Sequence, residues 1–380
     1  MSDRNFIWYE KISSSDRRIV GEKALDFRGM MDDDFPVPTG FVVTFEAYEN
    51  FIKETGISEE INDYLSDLDV DDEDDLEKTS EKIRDLILEA EIPEDIEEGL
   101  LSIYRDLGDR VGEIDTPVLF RTSVYVEDEE DGSLPKREAT CLGVNGKEDL
   151  LKHLKQSWAF KFSNKILPQF KEKGYSPDQV LISISVQRMV DAEKGGLFFT
   201  SHPSTGEEDK MVVEANWGLG ETVVSGTVTP DTYILDKENG AIIDRVIGSK
   251  EEMLVHDSME CKNERKQTTV EKREAQVVSE EEANEIIALG KRLDEYYDEP
   301  QEVEWAEEEG KIYLIQLNPM EFISQESSGE KVEETVGDES ETDTEESHPS
   351  EISESVVSPT VTDVKVNISS PEDVKDGSES

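Results

Sequence analysis

Residues 301–319 read Gln-Glu-Val-Glu-Trp-Ala-Glu-Glu-Glu-Gly-Lys-Ile-Tyr-Leu-Ile-Gln-Leu-Asn-Pro, and the pattern predicts two short strands around a Glu-Glu-Gly-Lys turn. Side chains alternate faces along a strand, which puts Glu302 and Glu304 on one face and Val303 and Trp305 on the other, toward a core. By the same count Ile312, Leu314 and Gln316 share a face of the return strand, with Gln316 its odd polar member. Paired carboxylates with a facing amide form an oxygen donor set that suits a hard divalent cation, and magnesium held in this way bridges to nucleotide phosphates. In a chain this acidic the same Glu-x-Glu also reads as a solvated strand face, so the rest of the sequence has to decide.

The chain has 380 residues, enough for two or three lobes with their own cores. Its 93 acidic and 39 basic residues leave a net charge of −54. Such a charge repels nucleic-acid backbones and anionic membranes, so neither is an expected partner. It repels ATP as well, so a nucleotide site here requires local cations and a metal. Acid spread along a globular pattern predicts a halophilic protein in a salt-rich cytoplasm, where charges are screened within about 3 Å at about 1 M salt. Unfolding at low ionic strength is the expected result, and full stability in dilute buffer would contradict it. The two cysteines, Cys141 and Cys261, make neither a disulfide framework nor a metal quartet. With no leader-like segment at the start, they predict a reducing, cytoplasmic location. The longest apolar run, near residues 180–186, is far too short to span a bilayer.

The first 45 residues read as strand, loop and strand, and residues 46–107 as helices, with Ile83, Leu86, Ile87 and Ala90 recurring at helical spacing. A short apolar strand then delivers Arg121-Thr122-Ser123, and an acidic loop follows at 127–132. Residues 148–173 predict an amphipathic helix broken near Pro168. After Pro177 the texture turns to strands, at 180–190, 196–201, 210–215, 231–236 and 241–247. One more helix is expected over 279–297, where Ser279 and Glu282 have capping-box spacing. From about 324 the chain is rich in Ser, Thr and Glu with almost no aromatics, a composition that predicts a disordered acidic tail.

Read by residue type alone, several positions stay open. Lys23, just after Gly21, is a phosphate-facing or a surface lysine. Arg121 is a fork for phosphate oxygens or a structural salt bridge to the acidic loop. Gln187, in an otherwise apolar strand, faces an adenine edge or solvent. The string Val213-Glu214-Ala215-Asn216-Trp217-Gly218-Leu219-Gly220-Glu221, continuing to Val228-Thr229-Pro230-Asp231, carries glycines that allow tight turns and close backbone approach.

Taken together, these strings resemble the nucleotide-binding domain of the phosphoenolpyruvate synthase and pyruvate phosphate dikinase family, which rifampicin phosphotransferase also carries. The resemblance runs from about Trp8 to Pro319. It rests on Val20-Gly21-x-Lys23, Pro36-Val37-Pro38-x-Gly40-Phe41, Arg121-x-Ser123, Trp158-Ala159, Val186-Gln187-x-Met189-Val190, Phe199-Thr200, the Trp217 string, Pro300-Gln301-x-x-Glu304-Trp305 and Leu314-x-Gln316. It implies an ATP-grasp fold, α+β in class, with the nucleotide between two lobes: residues 1–178 and 179–323, ahead of the tail at 324–380.

The resemblance further implies that Lys23 and Arg121 grip phosphates, that Thr140 and Lys136 lie in the loop over them, and that Gln187 sits beside the base. Glu304 and Gln316 would hold Mg2+ and ATP, with Glu302 in place of the family's aspartate. In the family, ATP phosphorylates a histidine on a separate mobile domain. The expected function is an ATP- and magnesium-binding phosphotransferase domain whose acceptor is supplied in trans by another chain. The alternative is a degenerate nucleotide- or partner-binding regulator, and four departures favour it. Glu22 and Lys136 stand where the family has glycine, Ala139 where it has an acid or amide, and Asn318 where it has arginine. Thr200-Ser201-His202 looks like a phosphocarrier motif, but its neighbours place it in a turn of the nucleotide domain. His153 on a helix, His256 in a polar loop and His348 in the tail carry no expected catalysis.

Overall fold

The computed structural model describes residues 4–126, 139–257 and 262–320. The loop with Lys136, together with Cys261, His348 and the expected acidic tail, lies outside the described residues.

The chain is a mixture of helices and mostly antiparallel strands, α+β in class. Strand β1 (Phe6–Trp8) leads through α1 (Arg17–Val20) and α2 (Glu22–Asp32) to β2 (Gly40–Val43). Four helices follow: α3 (Phe45–Thr55), α4 (Ser58–Asp67), α5 (Glu73–Glu89) and α6 (Glu94–Val111). Then come β3 (Val118–Val126), β4 (Ala139–Val144), α7 (Gly146–Phe160), α8 (Leu167–Lys173) and β5 (Val180–Arg188). Their ends obey local rules. Asp72 caps α5 by accepting from the backbone N–H groups of Asp74 and Asp75, and α6 starts after Pro93 and stops at the left-handed Gly112.

The first sheet has the order β1-β2-β5-β3-β4. β5 therefore lies between β2 and β3, antiparallel to both, and all of it is buried. The sequence boundary at 178/179 cuts this strand from its own sheet; the chain leaves the first sheet only after Arg188. The reason is topological: a strand buried on both faces carries no local mark of which sheet receives it.

The second sheet is built from β6 (Lys194–Phe199), β7 (Lys210–Trp217), β8 (Asp231–Asp236), β9 (Ile242–Val246), β12 (Gln301–Glu308) and β13 (Lys311–Pro319), in the order β13-β12-β6-β7-β8-β9. Between its strands the chain forms α9 (Glu221–Val224), a separate hairpin of β10 (Glu252–Asp257) and β11 (Lys262–Gln267), then α10 (Val270–Glu274) and α11 (Glu280–Tyr296). The capping box at Ser279 and Glu282 forms as expected, with both reciprocal bonds present.

Two cores hold these layers. The first packs α3, α5, α6 and α7 on one face of the first sheet, around Phe51 and Trp158, whose rings stack at 4.7 Å. The second packs α2 and α11 against one face of the second sheet and includes Val303, Trp305, Ile312 and Leu314. Residues from Tyr9 to Phe35 belong to this second core, so the start of the chain binds the two sheets together.

The first core also encloses a lysine. Lys161 is 1% exposed; its Nζ donates to the Pro177 carbonyl at 2.8 Å and stands 4.5 Å from the centre of the Tyr48 ring. Burial pulls its pKa down to about 7, against the opposing pull of Asp178 and Glu49. Between about pH 7 and the free-lysine value the unfolded chain holds a proton that the folded chain lacks, so this group makes stability rise with pH across that window. Buried Tyr9 and Tyr48 have pKa values pushed upward and act in the opposite sense only above about pH 10. Denaturant titrations between about pH 7 and 10 are expected to show a rising midpoint that flattens in Lys161→Met.

The closing hairpin departs from simple alternation. Glu304 pairs with Gln316 but Trp305 pairs with Leu314, which leaves Ile315 as a bulged residue. Ile312 and Leu314 stay on the core face with Val303 and Trp305. Beyond the bulge Leu317 takes over that face, and Gln316 and Asn318 turn to the face of their partners Glu304 and Glu302. The expectation that Gln316 shares a face with Ile312 and Leu314 is corrected by this single extra residue.

Candidate nucleotide site

The face of the second sheet opposite the α2–α11 core, part of it covered by α9 through Val223, is read in rows across its strands. One row runs Glu214, Leu197, Glu304, Gln316, and the next Val212, Phe199, Glu302, Asn318. The first sheet brings β3 to it. Arg121, opposite Ser185 on β5 and Thr140 on β4, is 5% exposed, and its Nη2 donates to Glu304 Oε2 at 3.0 Å. The salt bridge of Arg121 thus reaches the closing hairpin, across the gap between the sheets. Lys23 arrives from the third side. Gly21, at φ +78°, ends α1 and starts α2, and a Cβ there would come within 3.1 Å of the Tyr125 ring. Lys23, in the first turn of α2, donates through Nζ to Asn318 Oδ1 at 3.4 Å, and Gln316 Nε2 donates to the same oxygen at 3.4 Å.

Gln187 lies on β5 opposite Gly40 and Leu119. It is fully buried, and neither Oε1 nor Nε2 has a hydrogen-bond partner among the described residues; Arg121 Nε is likewise buried and unpartnered. An unpaired buried polar group costs about 1–3 kcal/mol. The Gln187 amide thus offers a donor and an acceptor that nothing among the described residues takes up. Thr140 is exposed and stands opposite Arg121. Lys136 lies outside the described residues.

Two further acids belong here that sequence reading passed over. Burial raises the pKa of Glu214, with Glu302 adding to the effect. Burial also raises Glu221, helped by Glu304 and opposed by Arg121 and Arg265. Both lie in the Trp217 string, where the glycines drew notice. For Glu214 the signal was the alternation of Val212, Glu214 and Asn216 against the core residues Met211, Val213 and Ala215, whereas Glu221 opens α9 and lies outside that strand pattern. Nearby, Asp26 is pushed up to about 6, first by burial and then by Glu22, with Lys23 and Arg17 opposing.

No group of three or more His, Cys, Asp or Glu residues among the described residues could hold a metal. The oxygen donors of Glu302, Glu304 and Gln316 nonetheless fit magnesium, which uses one or two carboxylates and takes its remaining ligands from phosphates and water. Of the histidines, His202 sits in the turn after β6, its Nδ1 accepting from the backbone N–H groups of Ser204 and Thr205. His153 lies on α7. His256, expected in a loop, is on β10.

A buried guanidinium from one sheet, paired carboxylates from the other and a lysine from α2, brought together, have the make-up of a phosphate- and metal-handling site. Comparison with known proteins makes the assignment specific. Residues 17–339 match the family described as pyruvate phosphate dikinase, AMP/ATP-binding domain, and the chain belongs to that family. It is an ATP-binding domain. A probable phosphoenolpyruvate synthase of Methanocaldococcus jannaschii is 38% identical over 329 residues, covering 86% of this chain and 27% of that protein. A probable phosphoenolpyruvate synthase of Methanothermobacter thermautotrophicus is 36% identical, covering 86% and 47% respectively. The phosphoenolpyruvate synthase of Pyrococcus furiosus is 31% identical, covering 88% and 46%. The chain therefore spans between about a quarter and a half of the length of these relatives. No helix among the described residues is long and apolar enough to cross a membrane.

Proposed function

We propose that the chain binds Mg-ATP in an ATP-grasp cleft between its two sheets and transfers phosphoryl groups to an acceptor histidine on another domain or chain, as the first half-reaction of a phosphoenolpyruvate synthase. The observation that carries this reading is the Arg121–Glu304 contact, which sets a buried guanidinium from one sheet against a carboxylate of the other. Arg121 and Lys23 are the phosphate grips, Gln187 meets the base, and Thr140 closes over the phosphates. Glu302, Glu304 and Gln316 are the oxygen donors for magnesium, which when bound supplies screening of the phosphate charge. The low exposure of Arg121 keeps its hydrogen bonds strong. Cationic donors fixed in advance stabilise the charge that moves during transfer.

A second reading, binding without turnover, is favoured by Asn318. The end of β13 carries a neutral amide there, and its oxygen engages Lys23. Release of AMP or ADP in the presence of an acceptor separates the two readings: turnover supports transfer, and tight binding with no product supports the regulator.

Gln187 gives a direct test of the base contact. Gln187→Met removes two buried, unpartnered polar atoms, so the free protein is expected to become more stable by about 1 kcal/mol. The same change is expected to weaken ATP about tenfold, the scale of one lost pair of hydrogen bonds. Opposite signs in a thermal melt and a binding titration support the assignment. Unchanged ATP affinity would remove Gln187 from the site.

A further inference from the structure

The β10–β11 hairpin was not expected from the sequence, and it touches both sheets. Its root is tied to the second: Asn216 Nδ2 donates to the Glu252 carbonyl at 2.8 Å, and the Leu219 N–H donates to the Leu254 carbonyl at 2.8 Å. Its other strand reaches β4, the edge of the first sheet. There Asn263 Nδ2 donates to the Leu142 carbonyl at 3.2 Å, while Asn263 Oδ1 accepts from His256 Nδ1 at 2.9 Å. The Leu142 carbonyl, which can only accept, fixes which end of the amide faces β4 and makes His256 Nδ1 the donor to Oδ1. Leu142 and Leu254 pack together in a small apolar cluster with Met189 and Leu219.

The landing point on β4 is built for this contact. β4 pairs Cys141 with Phe120 and Val144 with Val118, so the ladder slips at Leu142–Gly143. Gly143 has φ +76°, and a Cβ on it would lie 3.0 Å from Asn263 Oδ1 and 3.2 Å from His256 Nδ1. Bulges of this kind re-aim the side chains beside them. The neighbour here is Thr140, directly opposite Arg121.

We infer that Asn263 is a positioning residue of the nucleotide site: from the second sheet it holds the edge carbonyl of Leu142, and so sets Thr140 beside Arg121 over the phosphates. The inference rests on the proposed nucleotide reading. β4 is the edge of its sheet, so its outer side has no strand partner, and the Asn263 bond to Leu142 supplies a polar tie on that side. The base, which lies toward Gln187, is not reached by β4's displacement; the outer phosphates are.

The test is the ratio of ATP to AMP affinity of the full chain in high salt, with melting temperature followed in parallel. Asn263→Ala is expected to lower ATP affinity about fivefold, the scale of one hydrogen bond, with AMP affinity retained. Asn263→Asp keeps the acceptor for His256 but loses the donor to Leu142, and is expected to be as impaired as Asn263→Ala. Gly143→Ala, which drives a methyl group into Asn263 and His256, should shift the ratio the same way. Thr140→Ala serves as the reference for a lost phosphate contact. A ratio that stays at the parent value, or ATP and AMP affinities that fall together with the melting temperature, overturns the inference while the nucleotide reading stands. A Thr140→Ala that binds ATP normally also overturns the inference alone, whereas a parent chain that binds no ATP overturns both.

Discussion

Lys250→Ala is expected to cost about 3–5 kcal/mol of stability, the penalty for leaving a buried charge without its partner. Asp231 and Lys250 are both fully buried and form an ion pair. Asp231 Oδ1 also accepts from the Gly248 N–H at 2.9 Å, and Oδ2 accepts from the Val277 N–H at 2.9 Å and the Tyr233 hydroxyl at 3.0 Å. One carboxylate thus ties the start of β8, the loop after β9 and the approach to α11. Removing the lysine leaves those bonds around an anion that has lost its cation. The double variant Asp231→Asn, Lys250→Met keeps much of the network without either charge and is expected to recover most of the loss. Denaturant melts at fixed high salt measure both. A loss below about 1 kcal/mol in Lys250→Ala would mean that water reaches the pair.

Arg121→Ala is expected to weaken ATP by about 100-fold, the equivalent of a charge-assisted contact of about 3 kcal/mol. The guanidinium is nearly buried, and at 3.0 Å it is paired with Glu304. Without it Glu304 and Glu221 repel each other and the incoming phosphates, and Glu221, which Arg121 holds down, shifts further upward. Arg121→Lys is expected to restore only part of the affinity, because an ammonium cannot form the planar two-bond fork. Equal affinity in Arg121→Lys and the parent would show that only net charge matters. Glu304→Gln separates the roles from the other side: it frees Arg121 for phosphate but removes a magnesium ligand. Metal-free ATP binding should rise while the benefit of added magnesium falls.

Much of this site was legible in the sequence because strands and turns have local signatures. The alternation of Glu302 and Glu304 with Val303 and Trp305 required only the period of a strand, and Gly21 marked the turn before Lys23. What escaped depended on contacts between distant segments. The Ile315 bulge that turns Gln316 toward Glu304 has no signature in an apolar run. The membership of β5 in the first sheet is a matter of topology. β11 reads Lys-Asn-Glu-Arg-Lys-Gln, with no apolar alternation, since it is an exposed hairpin held by Asn263 and by backbone bonds to β10. Arg121 could be read as a phosphate fork or as half of a salt bridge; the structure gives it a salt-bridge partner, Glu304, that is itself one of the proposed magnesium ligands.

The most direct test of the account is a calorimetric titration of the full chain with ATP in high salt, with magnesium and then with a chelator, repeated on Glu304→Ala. The account predicts affinity between about 1 μM and 1 mM with magnesium, and loss of that binding both with the chelator and in Glu304→Ala. Affinity that is the same with and without the metal, or unchanged in Glu304→Ala, would contradict it.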